Sequence, residues 1–269
     1  MTKIEKPKAN KNLGQHYLNN KETIKSICHD FMGEYDQIIE IGPGPATLTT
    51  DLVTLGRPLT LIEKDDRFLD LLNELSPAPK IFNEDALEFN GENYLSKNTK
   101  DKIWLVSNLP YNVGTPIMLK FMKFDAIRFM TLMFQKEVAQ KIYLPLFGEK
   151  KYAKEMNSLH VLVNNYFEIS LLRKVPPGQF SPPPKVDSAV VSLRRRENPT
   201  ISLSEWTKFE QFLRNLFSNR RKQLTTVLKN YYEKKHLTNT LDSLNIAPTL
   251  RAETLTFDQV ISLFKTLHY

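Results

Sequence analysis

Cysteine is almost missing from this chain. Cys28 is the only one in 269 residues, so no intramolecular disulfide can form. That suits a reducing compartment, and the expected location is the cytoplasm. No apolar run reaches the roughly eighteen residues of a membrane span. The start, Met1 to Lys11, is polar and lysine-bearing, without the apolar stretch of a secretory signal. No cluster of His, Cys and acidic residues at metal-ligand spacing is present, so no metal is expected. Internal repeats and low-complexity stretches are also missing. What remains is a chain with 41% apolar residues, enough for a real core.

The net charge is +7, which suits a polyanionic partner without requiring one. Lys3, Lys6, Lys8 and Lys11 against Glu5 read as a basic arm or a solvated tail. Gly14-Gln15-His16-Tyr17-Leu18 follows, just before a helix opening near Asn19 or Asn20. Ile24, Ile27 and Phe31 then make one apolar helical face, with Cys28 buried beside them. From there strands and helices alternate, which argues for a doubly wound, mostly parallel sheet.

The strand ends carry the chemistry. Gln37–Ile41 is a short buried strand, and Gly42-Pro43-Gly44-Pro45-Ala46-Thr47 turns it into a helix. Such a glycine loop lets a ligand approach the backbone. Thr47 stands where a dinucleotide fingerprint requires its last glycine, so Glu40-x-Gly42-x-Gly44 fits the S-adenosylmethionine loop better. The next strand, Pro58–Ile62, ends on Glu63, about twenty residues past the glycines, where a carboxylate can accept from ribose hydroxyls. Asp85, past a third strand at Ile81-Phe82, can accept from an adenine amino group. Asn108-Leu109-Pro110-Tyr111 follows the strand Ile103–Ser107 and precedes a helix near Thr115-Pro116. The Asn108 side-chain oxygen and the Leu109 carbonyl can both accept from one exocyclic amine. Pro110 stiffens the loop, and Tyr111 offers a flat face to a base.

Another strand and helix follow, Ile127–Phe134 and the segment from Gln135. A stiff loop, Val175 to Lys185, then holds seven residues of context around Phe180: prolines at 176, 177, 182, 183 and 184, with Gly178 and Gln179. Phe180 is read as a second stacking face held out by those prolines, with burial in a core as the alternative. The composition changes at Arg194 to Pro199. The expected division is therefore residues 1–197, a sheet domain with its basic arm, and 198–269, a helical appendage. Phe209, Phe212, Leu213, Leu216 and Phe217 make a helical apolar face there. It runs into Arg220, Arg221 and Lys222, read as a helix presenting charge to phosphate.

In order along the chain, these motifs resemble the KsgA-type ribosomal RNA adenine dimethyltransferases. The resemblance rests on Gly14–Leu18, Glu40–Gly44, Glu63-x-Asp65, Asn108–Asn112, Gln135–Val138, Phe180–Ser188, Phe217–Lys222 and Leu250–Glu253. It implies a Rossmann-like, S-adenosylmethionine-dependent methyltransferase sheet with a small all-helical C-terminal domain. It implies that His16, Leu18, Gly42, Glu63, Asp85 and Asn108 contact S-adenosylmethionine. Asn108, Leu109, Pro110 and Tyr111 would hold the target adenine, with Phe180 on its other face. Arg220, Arg221 and Lys222 would bind RNA. The implied reaction is dimethylation of two adjacent adenosines in the 3′-terminal hairpin loop of small-subunit rRNA. The implied partner is a pre-30S particle, and the enzyme is expected to be monomeric. Tyr17, Pro45 and Gly114 depart from the usual phenylalanine, leucine and serine or threonine.

Cys28 is in the wrong place for the nucleophile that cytosine C5 methylation would use. Two rivals stand beside this reading. One is an erythromycin-resistance-type enzyme acting on large-subunit RNA. The other is an assembly factor with the fold but without the activity. A nicotinamide dehydrogenase is a distant third, because the last fingerprint glycine is absent.

Overall fold

The computed structural model describes residues 7, 9–10, 14–95, 101–144 and 156–268. The lysines expected to form a basic arm, Lys3, Lys6, Lys8 and Lys11, lie outside the described residues. The strands are β1 (Tyr17–Leu18), β2 (Gln37–Ile41), β3 (Leu59–Glu63), β4 (Lys80–Asn83), β5 (Ile103–Asn108), β6 (Ile127–Gln135), β7 (Phe167–Val175), β8 (Phe180–Ser181) and β9 (Ser188–Arg195). The helices are α1 (Lys21–Cys28), α2 (Thr49–Leu52), α3 (Leu69–Asn73), α4 (Glu92–Leu95), α5 (Gly114–Phe121), α6 (Lys136–Ile142), α7 (Ser158–Tyr166), α8 (Trp206–Leu216), α9 (Leu224–Leu228), α10 (Lys234–Ser243) and α11 (Phe257–His268).

The chain forms two compact units. The first holds residues 1–139 and 169–195, the second residues 140–168 and 196–269. The helical unit thus takes α7 from the middle of the chain as well as the stretch that follows the sheet.

The first unit is built on a seven-stranded sheet in the order β4-β3-β2-β5-β6-β9-β7. β4, β3, β2, β5 and β6 run parallel, and β9 is antiparallel to β6. The central strands are continuous apolar runs because both faces of a parallel sheet are covered. Ile38, Ile39, Leu61, Trp104, Leu105 and Val106 are all at most 1% exposed. β2 has β3 on one side and β5 on the other, so the strand order reverses there. The loops that leave the carboxyl ends of β2 and β5 diverge and open a crevice, the usual ligand position in open α/β sheets.

One buried polar network crosses the strands. The Trp104 indole N–H donates to Thr131 Oγ1 at 2.8 Å, and Thr131 donates to Asp30 at 2.6 Å. Ser192 donates to the same Asp30 oxygen. The indole needs a partner once buried, and the carboxylate after α1 completes the chain. Burial pushes the Asp30 carboxyl up from its ordinary value, against the donors Ser192 and Thr131.

α1 starts where the sequence places a cap. The Asn20 side chain accepts from the Thr23 N–H at 2.9 Å. In the second unit α8 buries Trp206, Phe209, Phe212, Leu213 and Leu216 at helical spacing. Phe209 and Phe212 meet Phe264 of α11 at ring-centroid distances of 4.9 and 5.4 Å. Asn165 of α7 is fully buried and pairs its amide with the backbone N–H and C=O of Ile201. That reciprocal pair leaves no polar atom of the amide unmet. Among the described residues, no helix is long and apolar enough to cross a membrane.

Candidate active site

The loop after β2 is best understood by counting its N–H groups. Pro43 and Pro45 have none, so residues 42–46 offer three. Gly42 N–H donates to Ile62 O at 2.9 Å, and Ala46 N–H to Pro43 O at 3.1 Å. Gly44 N–H donates to the Glu63 carboxylate at 2.9 Å. All three are used within the protein. The loop therefore has no donors left in this stretch for a pyrophosphate, unlike a dinucleotide-binding turn. Gly42 and Gly44 take left-handed φ values of 65° and 51°.

Glu63 closes this arrangement from the end of β3. Its second oxygen accepts from the Asp65 N–H at 2.8 Å. Each oxygen has a further lone pair to offer a ligand. Burial pushes the Glu63 carboxyl up, while the Asp65 and Gly44 N–H groups hold it down. Asp85 sits two residues beyond β4. One oxygen accepts from Leu87 N–H at 2.9 Å and the other pairs with Lys64 at 2.7 Å. Lys64 holds the Asp85 carboxyl below its ordinary value.

Gly14–Leu18 lies across the loop that follows β5. The His16 carbonyl accepts from the Asn108 side-chain amide at 2.9 Å. Its ring stacks with Tyr111, centroids 5.5 Å apart and planes 26° apart. His16 Nδ1 donates to the Pro182 carbonyl at 2.8 Å. Gln15 donates to Asp65 at 2.9 Å and accepts from the Tyr17 hydroxyl at 2.7 Å. Tyr17, where phenylalanine is usual, thereby gains a partner.

The His16 contact fixes the Asn108 amide. A carbonyl only accepts, so the amide nitrogen faces His16 and Oδ1 is left to accept elsewhere. Leu109 is buried against the start of α5. A Cβ added at Gly114 would lie 3.2 Å from Leu109 Cβ and 3.3 Å from the Phe134 ring. Glycine there lets the loop sit down on β6, where a serine or threonine would need Leu109 or Phe134 to shift. The Tyr111 hydroxyl meets the Ser188 hydroxyl at 2.7 Å.

A cavity of about 240 Å³ joins these elements. His16, Leu18, Gly42, Glu63, Asp85, Asn108, Leu109, Pro110 and Tyr111 all line it. Phe180 does not. It is 3% exposed and packed in the apolar core with Leu18 and Val175. β8 pairs with β1, which sets Phe180 opposite Leu18 and leaves Ser181 exposed. The expectation of an outward-held aromatic is corrected: strand pairing overrides the stiffness of the prolines. Arg220, Arg221 and Lys222 are exposed in the second unit, but in a turn between α8 and α9 rather than on a helix. α8 ends once its apolar stripe runs out at Phe217, and the polar Ser218-Asn219 cannot extend it. Arg220 also donates to the Met156 carbonyl at 3.3 Å.

Sequence reasoning gave Gln15, Glu40 and Ser188 places in motifs but no roles, and it missed Lys64. Glu40 is 2% exposed and lines the cavity. Its Oε2 has no hydrogen-bond partner among the described residues. Burial pushes its carboxyl up to about 8; the adjacent Thr49 hydroxyl lowers it and the Glu63 charge raises it further. Glu40, Glu63, Glu84 and Asp85 line the cavity together with Lys64, so the wall holds four carboxyl groups against one lysine. Among the described residues no group of three or more His, Cys, Asp and Glu could hold a metal ion.

Over residues 6–268 the sequence matches the profile of the family described as ribosomal RNA adenine dimethylase. The chain belongs to that family. It is 37% identical over 259 residues to the ribosomal RNA small subunit methyltransferase A of Clostridium botulinum (strain Okra / Type B1), covering 94% of this chain and 91% of that one. It is 34% identical over 263 residues to the protein of the same name from Francisella tularensis subsp. novicida, covering 96% and 97%. A dimethyladenosine transferase from Plasmodium falciparum superposes with a TM-score of 0.72 at 23% identity, over 92% of this chain and 96% of that one. The 23S rRNA methyltransferase ErmE superposes at 0.70 and 24% identity, over 94% and 100%. At such identities these two structures show the fold alone. The Rossmann-like methyltransferase sheet expected from the sequence is the fold this dimethylase has. Its activity class follows from the family: it is an rRNA adenine methyltransferase.

In this dimethylase, Glu40 makes stability depend on pH in a definite direction. Between the ordinary glutamate value of 4.5 and about 8, the folded protein holds a proton that the unfolded chain has released. The stability that Glu40 contributes therefore falls as pH rises across that window. Glu40→Gln keeps the shape without the titration and is expected to flatten the slope. Chemical unfolding of both proteins, without ligand, at several pH values in the window measures this. Equal slopes would assign the pH dependence to other groups.

Proposed function

We propose that this protein transfers two methyl groups from S-adenosylmethionine to N6 of each of two adjacent adenosines in the 3′-terminal hairpin loop of small-subunit rRNA, during assembly of that subunit. The observation that carries the reading is the Asn108 amide, pinned by the His16 carbonyl so that its oxygen is turned to accept, at the strand-order reversal and inside the acidic cavity. The small-subunit name of the relatives at 33–37% identity supports the substrate. The large-subunit alternative has only a fold likeness in its favour.

The cavity fits the proposed cofactor. S-adenosylmethionine is cationic and has no phosphate. Four carboxyl groups against Lys64, a Glu40 oxygen without a partner among the described residues, and a loop without spare N–H donors at residues 42–46 suit such a ligand and oppose a dinucleotide. Glu63 would hold ribose hydroxyls and Asp85 the adenine amino group. His16, Leu18 and Gly42 would line the remaining contacts. When bound, the cofactor supplies an electrophilic methyl group on a sulfonium.

The chain's own residues then have to align an amine. Asn108 Oδ1 and the Leu109 carbonyl accept from the adenine N6 amino group and turn its lone pair out of the ring. They also stabilise the positive charge that develops as nitrogen bonds to carbon. The proton lost from N6 goes to solvent. Tyr111 is not placed as a base, because burial pushes its phenol up and Ser188 engages the hydroxyl. Its ring supports the base, which must leave any stack to arrive there.

The defining experiment is radiolabelled methyl transfer to undermethylated small subunits, followed by nucleoside analysis. N6,N6-dimethyladenosine is expected. Label in large subunits instead would support the rival substrate. Cofactor binding without label in either subunit would support a non-catalytic assembly factor.

Asn108→Ala is expected to lower the single-turnover rate at saturating cofactor and subunit by roughly a hundred- to a thousandfold, the effect of one preorganised group acting in the transition state. RNA affinity should hardly change. A near-wild-type rate in a folded protein would return Asn108 to the status of a turn residue.

Arg220, Arg221 and Lys222 are proposed to contact RNA phosphates from their exposed turn. Changing all three to alanine should flatten the dependence of log affinity on log salt by about one unit per lost contact, with cofactor affinity unchanged. An unaltered salt slope would leave them as solvated charge.

A further inference from the structure

The proline-rich loop ends on a side chain that reaches back to the catalytic loop. Ser188 is the first residue of β9 and is 1% exposed. Its backbone is fixed on both sides. Ser188 lies opposite Gln135 in the β6 pairing, and the Lys136 N–H donates to the Asp187 carbonyl at 2.9 Å. The buried Ser188 hydroxyl has one hydrogen-bond partner among the described residues. Its partner is the Tyr111 hydroxyl, 2.7 Å away and 77 residues distant in sequence.

That contact completes a three-sided hold on one ring. Pro110 stiffens the backbone at the near end of Tyr111. The His16 ring covers one face, centroids 5.5 Å apart. Ser188 holds the far end. The ring held in this way also lines the cavity. Without the Ser188 tether, the far end of the ring would lose its hydrogen bond and with it a fixed position.

We infer that Ser188 is a positioning residue for the target adenine: its hydroxyl anchors the Tyr111 ring and so sets the plane on which the base lies. The inference rests on the proposed methyl transfer to adenine. Ser188 touches Tyr111 rather than the reacting atoms, so its effect is on alignment. Misalignment of a bound base lowers the rate of the chemical step more than it lowers binding.

The test is a cycle of Ser188→Ala, Tyr111→Phe and the double variant, with Ser188→Thr as the conservative replacement. Single-turnover methylation of undermethylated small subunits is measured at saturating concentrations, and cofactor and subunit affinities separately. Ser188→Ala is expected to slow the rate about three- to tenfold, the usual worth of one hydrogen bond, with both affinities within about twofold. Tyr111→Phe removes the same hydrogen bond from the other side, so the double variant should be no slower than the slower single one. Ser188→Thr keeps a hydroxyl and should recover most of the rate. Effects that multiply in the double variant, a wild-type rate for folded Ser188→Ala, or a Thr variant as slow as the Ala variant would each overturn the inference. If Ser188→Ala fails to fold, a wild-type rate for Tyr111→Phe overturns it equally. Failure of the wild-type protein to methylate small subunits would strike the proposed function instead, so the two failures are distinguishable.

Discussion

The parallel pairing of β2 with β5 is the constraint on which the site depends. Glu40 lies opposite Val106 in that ladder, and Ser107 donates its hydroxyl to the Ile41 carbonyl at 2.6 Å. The two strands therefore end at the same level. From there the chain must turn one way, to β3, and the other way, to β6, because the strand order reverses. The gap between the diverging loops is a consequence of topology, and the buried apolar strands keep it rigid. A one-residue slip in this register would turn Glu40 from the face it occupies and carry Asn108 off the rim.

Charge then decides what the gap admits. Four carboxyl groups line it, and two prolines remove N–H groups that an anion would need. Burying several acids near one another is unfavourable, and the protein meets the cost unevenly. Asp85 is paired with Lys64, Asp65 with Arg67, and Glu63 with two backbone donors. Glu40 has none of these among the described residues, and burial pushes its carboxyl up to about 8. A cationic ligand lowers the energy of the whole set, whereas an anionic one raises it.

What the sequence makes legible is local. Gly42-x-Gly44, Glu63 and Asn108–Tyr111 each sit within a few residues of a strand end, and continuous apolar runs mark the strands themselves. Their placement around one cavity follows once the strands are ordered as in other doubly wound sheets. What escapes the sequence is set by partners far along the chain. Asn108 is oriented by a carbonyl 92 residues before it, and Tyr111 by a hydroxyl 77 residues after it. Phe180 is drawn inward because β8 pairs with β1, a contact between two-residue strands that carry no periodic signal. The triple cation run falls in a turn because helical apolar spacing stops at Phe217. The residues 140–168 join the helical unit through contacts that composition does not mark.

His16 is the point where these long-range effects meet. One residue holds the Asn108 amide with its carbonyl, the Tyr111 ring with its imidazole face, and the Pro182 carbonyl with Nδ1. The loop after β5 and the loop before β9 are therefore positioned by the same short segment, which itself hydrogen-bonds through Gln15 to Asp65 beyond β3. A displacement of this segment would rotate the amide and release the ring together. The wall of the cavity beyond β3 and the wall after β5 are thus mechanically linked, although their residues stand on different strands. The amide orientation carries most of that linkage: with Nδ2 given to the His16 carbonyl, Oδ1 is the amide atom left to accept.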